Sequence, residues 1–121
     1  MDLEELRVYK QSMELGEKIW TIVQKWDLFE KDTIGKQLIR AVDSVAANLS
    51  EGFGRYHYKE SNHFHYYSRG SLYETKTWLT KACSRNLILN EDFDVFSKEI
   101  KDISVKLNNY ISAISNKAKQ N

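Results

Sequence analysis

Hydrophobic positions recur in alternating steps of three and four residues over four separate stretches of the chain. This spacing places the apolar side chains of each stretch on one side of an α-helix, because a helix turns by about 100° per residue. The pattern predicts helices at about residues 3–26, 33–54, 58–85 and 91–116. Short connections make consecutive helices antiparallel. We therefore predict a single all-α domain over residues 1–121, an antiparallel up-down four-helix bundle with a left-handed twist.

Each predicted helix has a row of positions expected to face the core. The first helix has two neighbouring rows: Leu6, Tyr9, Met13, Gly16, Trp20 and Val23, and Val8, Leu15, Ile19, Ile22 and Trp26. The row of the second helix is Ile34, Leu38, Val42, Val45, Leu49 and Gly52. The row of the third is Phe64, Tyr67, Ser71, Thr75, Trp78 and Ala82. The row of the fourth is Phe93, Phe96, Ile100, Ile103, Leu107, Tyr110 and Ile114, after which the tail is expected to fray. The predicted core contains Trp20, Leu38, Val45, Trp78, Ile100 and Leu107.

Residues that favour helix ends lie between these stretches. Asp32 or Thr33 is a suitable N-cap for the second helix. Gly52 and Gly54 are expected to end that helix, which argues against a three-helix alternative in which the second and third helices are continuous. Asn86 is expected to end the third helix in a left-handed conformation.

Composition supports helices and limits the cellular setting. The chain has no proline, which helix interiors exclude, and only five glycines. Its single cysteine, Cys83, cannot form an internal disulfide, as is typical of a reducing compartment. No early apolar run follows a basic start, and no stretch approaches the roughly 20 apolar residues that span a bilayer. We expect a cytoplasmic protein.

The net charge of +1 is unevenly distributed. Residues 1–30 carry −3, residues 31–90 carry +4 and residues 91–121 are neutral. Strong nucleic-acid binders are usually far more basic. The distribution nevertheless indicates that an anion-binding surface would lie on the second and third helices.

Three histidines raise the possibility of a metal site. His57, His63 and His65 lie within nine residues, and Glu60 with His63 has the Glu-x-x-His spacing of di-iron bundles. Such sites need that motif on two helices and further glutamates on two others. We therefore predict surface histidines, no metal and no cofactor. With no nucleophile motif and no phosphate loop, we also expect no enzymatic activity.

Polar residues form two outward lines. The second helix carries Lys36, Arg40, Ser44, Asn48, Glu51 and Arg55 along one side. The third carries Tyr66, Arg69, Tyr73 and Lys76, preceded by Tyr56 and Tyr58. Cations mixed with aromatic rings suit contact with phosphates and bases, and they equally suit a protein–protein interface.

A structural polar cluster is predicted at the end of the second helix. Glu51 lies one turn before Arg55, so the two can pair and offset the unfavourable position of a carboxylate at a helix C-terminus. Asn48, one turn earlier, is expected to join this cluster to the third helix near Arg69 and Glu74.

Residues 36–55 and their continuation contain a specific string: Gln-Leu-x-Arg-Ala, Asn-x-x-Glu-Gly-x-Gly-Arg and Gly-Ser-x-x-Glu. The string resembles proteins encoded by intervening sequences inside bacterial 23S rRNA genes, and the resemblance extends over about residues 5–115. It implies an up-down four-helix bundle that assembles into rings, commonly homopentamers, without established catalytic activity. A family similar in fold, the accessory proteins of diversity-generating retroelements, works with a reverse transcriptase and nucleic acid. His57 departs from the serine or threonine usual at its position, which would form a capping box with Glu60.

The resemblance, together with the basic and aromatic lines, implies a non-catalytic RNA- or DNA-binding protein. The residues expected to contact nucleic acid are Lys36, Arg40, Arg55, Tyr56, Lys59 and Arg69. The alternative is a protein-interaction scaffold without a nucleic-acid ligand. The sequence leaves both open, as it does the choice between RNA and DNA.

Overall fold

The computed structural model describes residues 1–120, and four long α-helices account for most of them. These are α1 (Arg7–Val23), α2 (Lys36–Phe53), α3 (Tyr58–Ser84) and α4 (Asn90–Gln120). A 3-10 turn, Leu3–Glu5, precedes α1. A short helical turn, Leu28–Glu30, continues through a π-helical turn, Lys31–Gly35, into α2. No strand occurs in the described part of the chain, so the predicted all-α fold is confirmed.

Hydrogen bonds between helices show that neighbours run antiparallel. On α3, Ser61 bonds to the Gly52 carbonyl and Ser68 to the Val45 carbonyl, so numbers rise on one helix as they fall on the other. The α1–α4 pair follows the same rule. Lys18 pairs with Glu99 at 2.8 Å, and Gln11 bonds to Asp102 at 2.9 Å.

The core confirms most of the predicted apolar rows. Leu38 and Val45 of α2 and Ile100 and Leu107 of α4 are buried, as predicted. The whole predicted row of α2 is buried. These rows were readable because each contains large aliphatic residues with few interruptions.

The prediction for Trp20 was wrong, because its row is buried only at Leu6, Gly16 and Val23 and the neighbouring row of α1 faces the core. Leu15 and Ile19 are fully buried, whereas Trp20 is 49% exposed and Met13 is 45% exposed. Trp20 lies about 100° around the helix from Ile19, at the edge of the face that packs against α2 and α4. The predicted core position of Trp78 is only half-buried, and its indole Nε1 donates to Glu74 Oε1 at 3.2 Å.

The predicted inward row of α3 was wrong by about one position over most of its length. The buried row is Ser61, His65, Ser68, Leu72, Thr75, Leu79 and Ala82, whereas Tyr67 is 59% exposed. Four members of that row are polar, so hydrophobicity alone pointed to the aromatic residues beside them. Small side chains are needed here because α3 approaches the α2 backbone closely enough for hydroxyls to reach its carbonyls.

Two predicted helix ends need correction and two are confirmed. The segment leading into α2 begins after Asp27, so Thr33 is internal and its hydroxyl bonds to the Phe29 carbonyl. The tail expected to fray continues α4 to Gln120. α2 ends at Phe53 with Gly54 as its C-cap, as predicted, although Gly52 lies inside the helix, where it allows α3 to pack closely. Asn86 adopts a φ of 61°, and the Leu87 amide bonds to the Ala82 carbonyl in a Schellman-type end, as predicted.

Candidate nucleic-acid interface

Arg55 lies at the connection between α2 and α3 and is held by two carboxylates. Its guanidinium contacts Glu51 at 2.5 Å and Glu60 at 3.0 Å, and it lies 4.6 Å from the centre of the Phe64 ring. The predicted Glu51–Arg55 pair is therefore present. The second carboxylate, Glu60, is the one that a capping box would have used, and the N-cap residue His57 makes no side-chain cap bond.

Two predicted members of the structural polar cluster do not join it. The Asn48 amide donates to the Ser44 carbonyl of its own helix at 2.9 Å. Glu74 accepts the bond from Trp78 and lies 14 residues beyond Glu60, which corresponds to roughly 21 Å along α3. The cluster is therefore local to the connection, and Arg69 binds elsewhere.

Because Arg55 is partly exposed, we expect Arg55→Ala to lower the free energy of unfolding by only about 1 kcal/mol. Arg55→Lys keeps the charge but loses the second guanidinium bond, and it should cost less than the alanine variant. Urea denaturation of both variants measures the effect. A loss above about 3 kcal/mol for Arg55→Ala would contradict a surface pair and indicate a buried role.

Arg69 faces α4 rather than α2. Its guanidinium carbon lies 5.0 Å from the centre of the Tyr66 ring, and its Nη1 donates to Asn108 Oδ1 at 3.1 Å. Lys76 reaches α4 in the same way, donating to Ser97 Oγ at 2.8 Å. Of the predicted outward line on α3, Tyr66 and Arg69 form part of one wall of a groove.

This α3–α4 groove runs from the start of α3 to the level of Arg69. Its α3 side presents Lys59, Asn62, His63, Tyr66 and Arg69. Its α4 side presents Asn108, Ile111, Ser112, Ser115, Asn116, Ala118 and Lys119. None of these described residues is acidic. At its open end, Tyr56, His57, Tyr58 and Glu60 continue the surface.

Tyr56 is the most exposed aromatic residue at this end of the bundle. Its side chain is 90% exposed, and its ring meets that of His57 at 88° with the centroids 5.0 Å apart. A perpendicular contact covers little of the ring, so a planar group can stack on it.

Lys36 and Arg40 lie on a different face. They border a shallow depression between α1 and the beginning of α2, together with Trp20 and Lys31. Arg40 is 13 residues from Phe53, roughly 20 Å along α2. The structure therefore places Tyr56, Lys59 and Arg69 along the α3–α4 groove and its open end, with Arg55 held by carboxylates beside that end. A ligand in this groove would have to extend around the bundle to contact Lys36 and Arg40 as well.

A buried polar network forms the floor beneath this surface. Ser61 Oγ donates to the Gly52 carbonyl at 2.7 Å. Asn62 Nδ2 donates to the Ile111 carbonyl at 3.1 Å and to Ser115 Oγ at 3.0 Å. These bonds leave Asn62 Oδ1 as an acceptor, 2.8 Å from His65 Nδ1. The network joins α2, α3 and α4 at one level.

The prediction of three surface histidines was wrong for His65. His57 and His63 are exposed, but His65 is fully buried beside the Tyr110 ring, with centroids 4.7 Å apart. The acceptor at Asn62 fixes the neutral ring as the Nδ1–H form. Within residues 1–120 no partner reaches Nε2, and burial lowers the pKa of His65 from 6.5 to about 4.

The contribution of α4 to the groove was not predicted from the sequence. Asn108, Ser112, Ser115 and Lys119 follow steps of four, three and four, so a polar line was readable there. It was overlooked because the end of the helix was expected to fray. The pairing of this line with α3 was not readable, since Lys59 and Lys119 are 60 positions apart.

Two further findings concern residues 1–120 as a whole. No three His, Cys, Asp or Glu side chains in this range are placed to hold a metal ion. No helix among them is long and apolar enough to cross a membrane.

Fold and surface together define a class: small all-α proteins built as a four-helix bundle with a polar, partly basic groove between two helices. A sequence model of the 23S rRNA-intervening sequence protein matches residues 4–109. The chain belongs to the 23S rRNA-intervening sequence protein family, which confirms the resemblance seen in residues 36–55. No curated protein matches the chain in sequence.

The fold is also similar to a solved structure. This is the crystal structure of a protein with unknown function from the S23 ribosomal protein family of Bacteroides thetaiotaomicron VPI-5482. The two share 19% sequence identity with a TM-score of 0.77, over 86% of this chain and 97% of the other. At this level of identity, the similarity establishes a common fold.

Proposed function

We propose that this protein is a non-catalytic nucleic-acid-binding protein whose contact surface is the α3–α4 groove with its open end. The observation that carries the proposal is the groove lining: Lys59, Arg69 and Lys119 are cations, and no acidic residue is among the described residues that line the groove between the two helices. Glu60, at the open end, is already paired with Arg55. The low net charge of +1 is consistent with binding through a local patch. The family's association with rRNA genes supports rRNA as the first ligand to test.

Phosphate contacts predict a salt-dependent affinity. With about three contacts, the slope of log affinity against log salt is about −2.1 to −2.7, so affinity falls roughly 20- to 40-fold between 50 and 200 mM salt. Fluorescence anisotropy on structured rRNA fragments, and on DNA of the same sequence, measures this slope. If neither is bound at low salt, the protein-interaction scaffold replaces this proposal.

Two double variants test whether the groove is the site. Lys59→Ala with Lys119→Ala removes two exposed groove cations and should reduce the salt slope by about 1.5. Lys36→Ala with Arg40→Ala removes the same charge from the other face and should change the slope little. If both double variants reduced the slope equally, binding would depend on net charge alone or the ligand would extend around the bundle. The second case is what a contact of nucleic acid with Lys36 and Arg40 would require.

We also propose that the chain assembles into a homo-oligomer. The support is apolar surface at one side and end of the bundle: Met13, Trp20, Leu28 and Phe29 are all between 45% and 74% exposed. Large exposed apolar patches typically mark interfaces. The resemblance to the intervening-sequence proteins implies a ring of five. It also implies a similarity in fold to the accessory proteins of diversity-generating retroelements, which are pentameric.

Light scattering coupled to size exclusion tests this assembly. We expect a particle of about five times the chain mass of 14.2 kDa, and a smaller one for Trp20→Gln. Val105→Gln, which changes an exposed valine on α4, is the control and should keep the wild-type mass. A wild-type monomer at micromolar concentration would refute the proposal.

A further inference from the structure

Resting on the proposed function, we infer that the ligand of the α3–α4 groove is an unpaired polynucleotide strand, with phosphates along Lys59, Lys119 and Arg69 and a base stacked on Tyr56. The groove supplies both parts of such a site. Its cations lie along the two walls, and an exposed aromatic ring stands at its open end. Proteins that bind single strands combine these two features.

Tyr56 is the residue that distinguishes a strand from a duplex. Its ring is 90% exposed and has a perpendicular contact with His57, so the phenol surface is available to a flat partner. Bases inside a duplex are already covered by their neighbours in the stack. Only an unpaired base can place its face on this ring.

Arg69 and Tyr66 form a cation–aromatic pair further along the groove. The guanidinium carbon lies 5.0 Å from the Tyr66 ring centre, and Asn108 fixes the guanidinium from the α4 side. A guanidinium held over a ring in this way can bind a phosphate or stack with a base, using its remaining N–H groups. The groove thus offers alternating cationic and planar groups along one direction.

The shape of the groove also favours one strand over two. Packed helices have axes roughly 8–10 Å apart, so the depression between them is narrow. A DNA duplex is a convex rod that is wider than this separation, since its major groove alone is about 12 Å wide. Such a rod rests on the rim of the groove, whereas a single strand enters it.

The α4 side of the groove adds neutral polar groups, Ser112, Ser115 and Asn116. Beneath them, the buried Asn62 donates both amide hydrogens within the protein, to Ile111 and Ser115. Amides and hydroxyls can bond to base edges in either nucleic acid and to the 2′-hydroxyl of RNA. RNA and DNA both supply an unpaired strand of this chemistry, and matched RNA and DNA probes show which of the two is bound.

The first experiment compares labelled 12-nucleotide probes by fluorescence anisotropy at low salt. The probes are an unstructured RNA strand, the matching DNA strand, each corresponding duplex, and an abasic DNA strand with the same number of phosphates. We expect at least tenfold tighter binding to a base-carrying strand than to its duplex, and a similar loss on the abasic strand. A duplex bound equally or more tightly would overturn the inference while leaving the proposed function intact. Absence of binding to every probe would overturn both.

The second experiment assigns the stacking to Tyr56. Tyr56→Leu should weaken binding to the base-carrying strand about tenfold, within the range of one lost stacking contact. It should have little further effect on the abasic strand, because there is no base to lose. Tyr67→Leu is the matched control: that tyrosine is also exposed but packs against Phe64 rather than lining the groove. Equal losses for both variants, or an undiminished loss on the abasic strand, would contradict stacking on Tyr56.

Discussion

Replacing Gly52 with alanine is expected to lower the free energy of unfolding by about 3 kcal/mol, at the upper end of the usual cost of overpacking a core. A Cβ at this position would lie 2.6 Å from His65 Nε2 and 2.7 Å from the Ser61 carbonyl oxygen. Relief requires α3 to move, because Ser61 contributes backbone and the His65 ring is fully buried. That movement would also strain the Ser61 hydrogen bond to the Gly52 carbonyl.

Gly70→Ala is the matched control for Gly52→Ala. It makes the same change within α3, but a Cβ there meets nothing within 4 Å. Alanine is favoured over glycine in a helix interior by roughly 0.5–1 kcal/mol, so this variant should be more stable than the wild type. Urea denaturation gives both values. If Gly52→Ala were as stable as Gly70→Ala, α2 and α3 would not be as closely packed as described.

Stability is expected to fall by about 3 kcal/mol as the pH is lowered from 6.5 to 4, through His65 alone. Burial lowers the pKa of His65 in the folded protein from 6.5 to about 4. Between these values the unfolded chain binds a proton that the folded protein does not, so acid favours unfolding. This contribution is complete above pH 6.5, decreases across the window and no longer changes below about pH 4.

The measurement is urea denaturation at several pH values, compared between variants so that other titrating groups cancel. His65→Leu cannot titrate at this position, so its stability should lack this part of the pH dependence, whatever its absolute value. His63→Gln removes an exposed histidine two residues away and keeps His65, so the wild-type dependence should persist. Parallel pH curves for wild type and His65→Leu would show that the His65 ring is reached by water or by another proton acceptor.

These two predictions describe one structural unit with a consequence for the surface. Gly52 makes room for His65, His65 bonds to Asn62, and Asn62 holds Ser115 on the opposite wall of the groove. The α3–α4 groove therefore has a floor fixed by buried hydrogen bonds. A groove with a fixed floor loses less conformational entropy on binding than a flexible one.

The sequence alone determined the elements whose pattern depends on local chemistry. The rows of α2 and α4 were readable because large aliphatic residues recur there at helical spacing. Asn86 was readable as a helix end because few residues other than glycine and asparagine adopt a positive φ at low cost. The Glu51–Arg55 pair was readable because residues four apart on a helix are neighbours.

The tertiary structure alone decided which side of α1 and α3 is buried. Trp20 and Ile19 are adjacent apolar residues on α1, and either could face the core by its hydrophobicity. The positions of α2 and α4 determine that Ile19 is the one that is buried. On α3, Ser68 and His65 read as surface residues, since burying a polar group is costly without a partner. Their partners are the Val45 carbonyl and Asn62, and the need for small side chains at this contact became visible only with both helices in place.

The candidate site shows the same division. Lys59 was expected from the resemblance to the intervening-sequence proteins. Arg69 was also indicated by the pattern, because cations near tyrosines on one helix suggest a ligand surface. Their alignment with Asn108 and Lys119 depends on how α4 packs beside α3, 39 to 60 residues later in the chain. Helical periodicity gives the direction of each side chain around its own axis, but not which neighbouring helix it faces. That relation is set by the packing of the whole bundle, and it is what turns two separate polar lines into one groove.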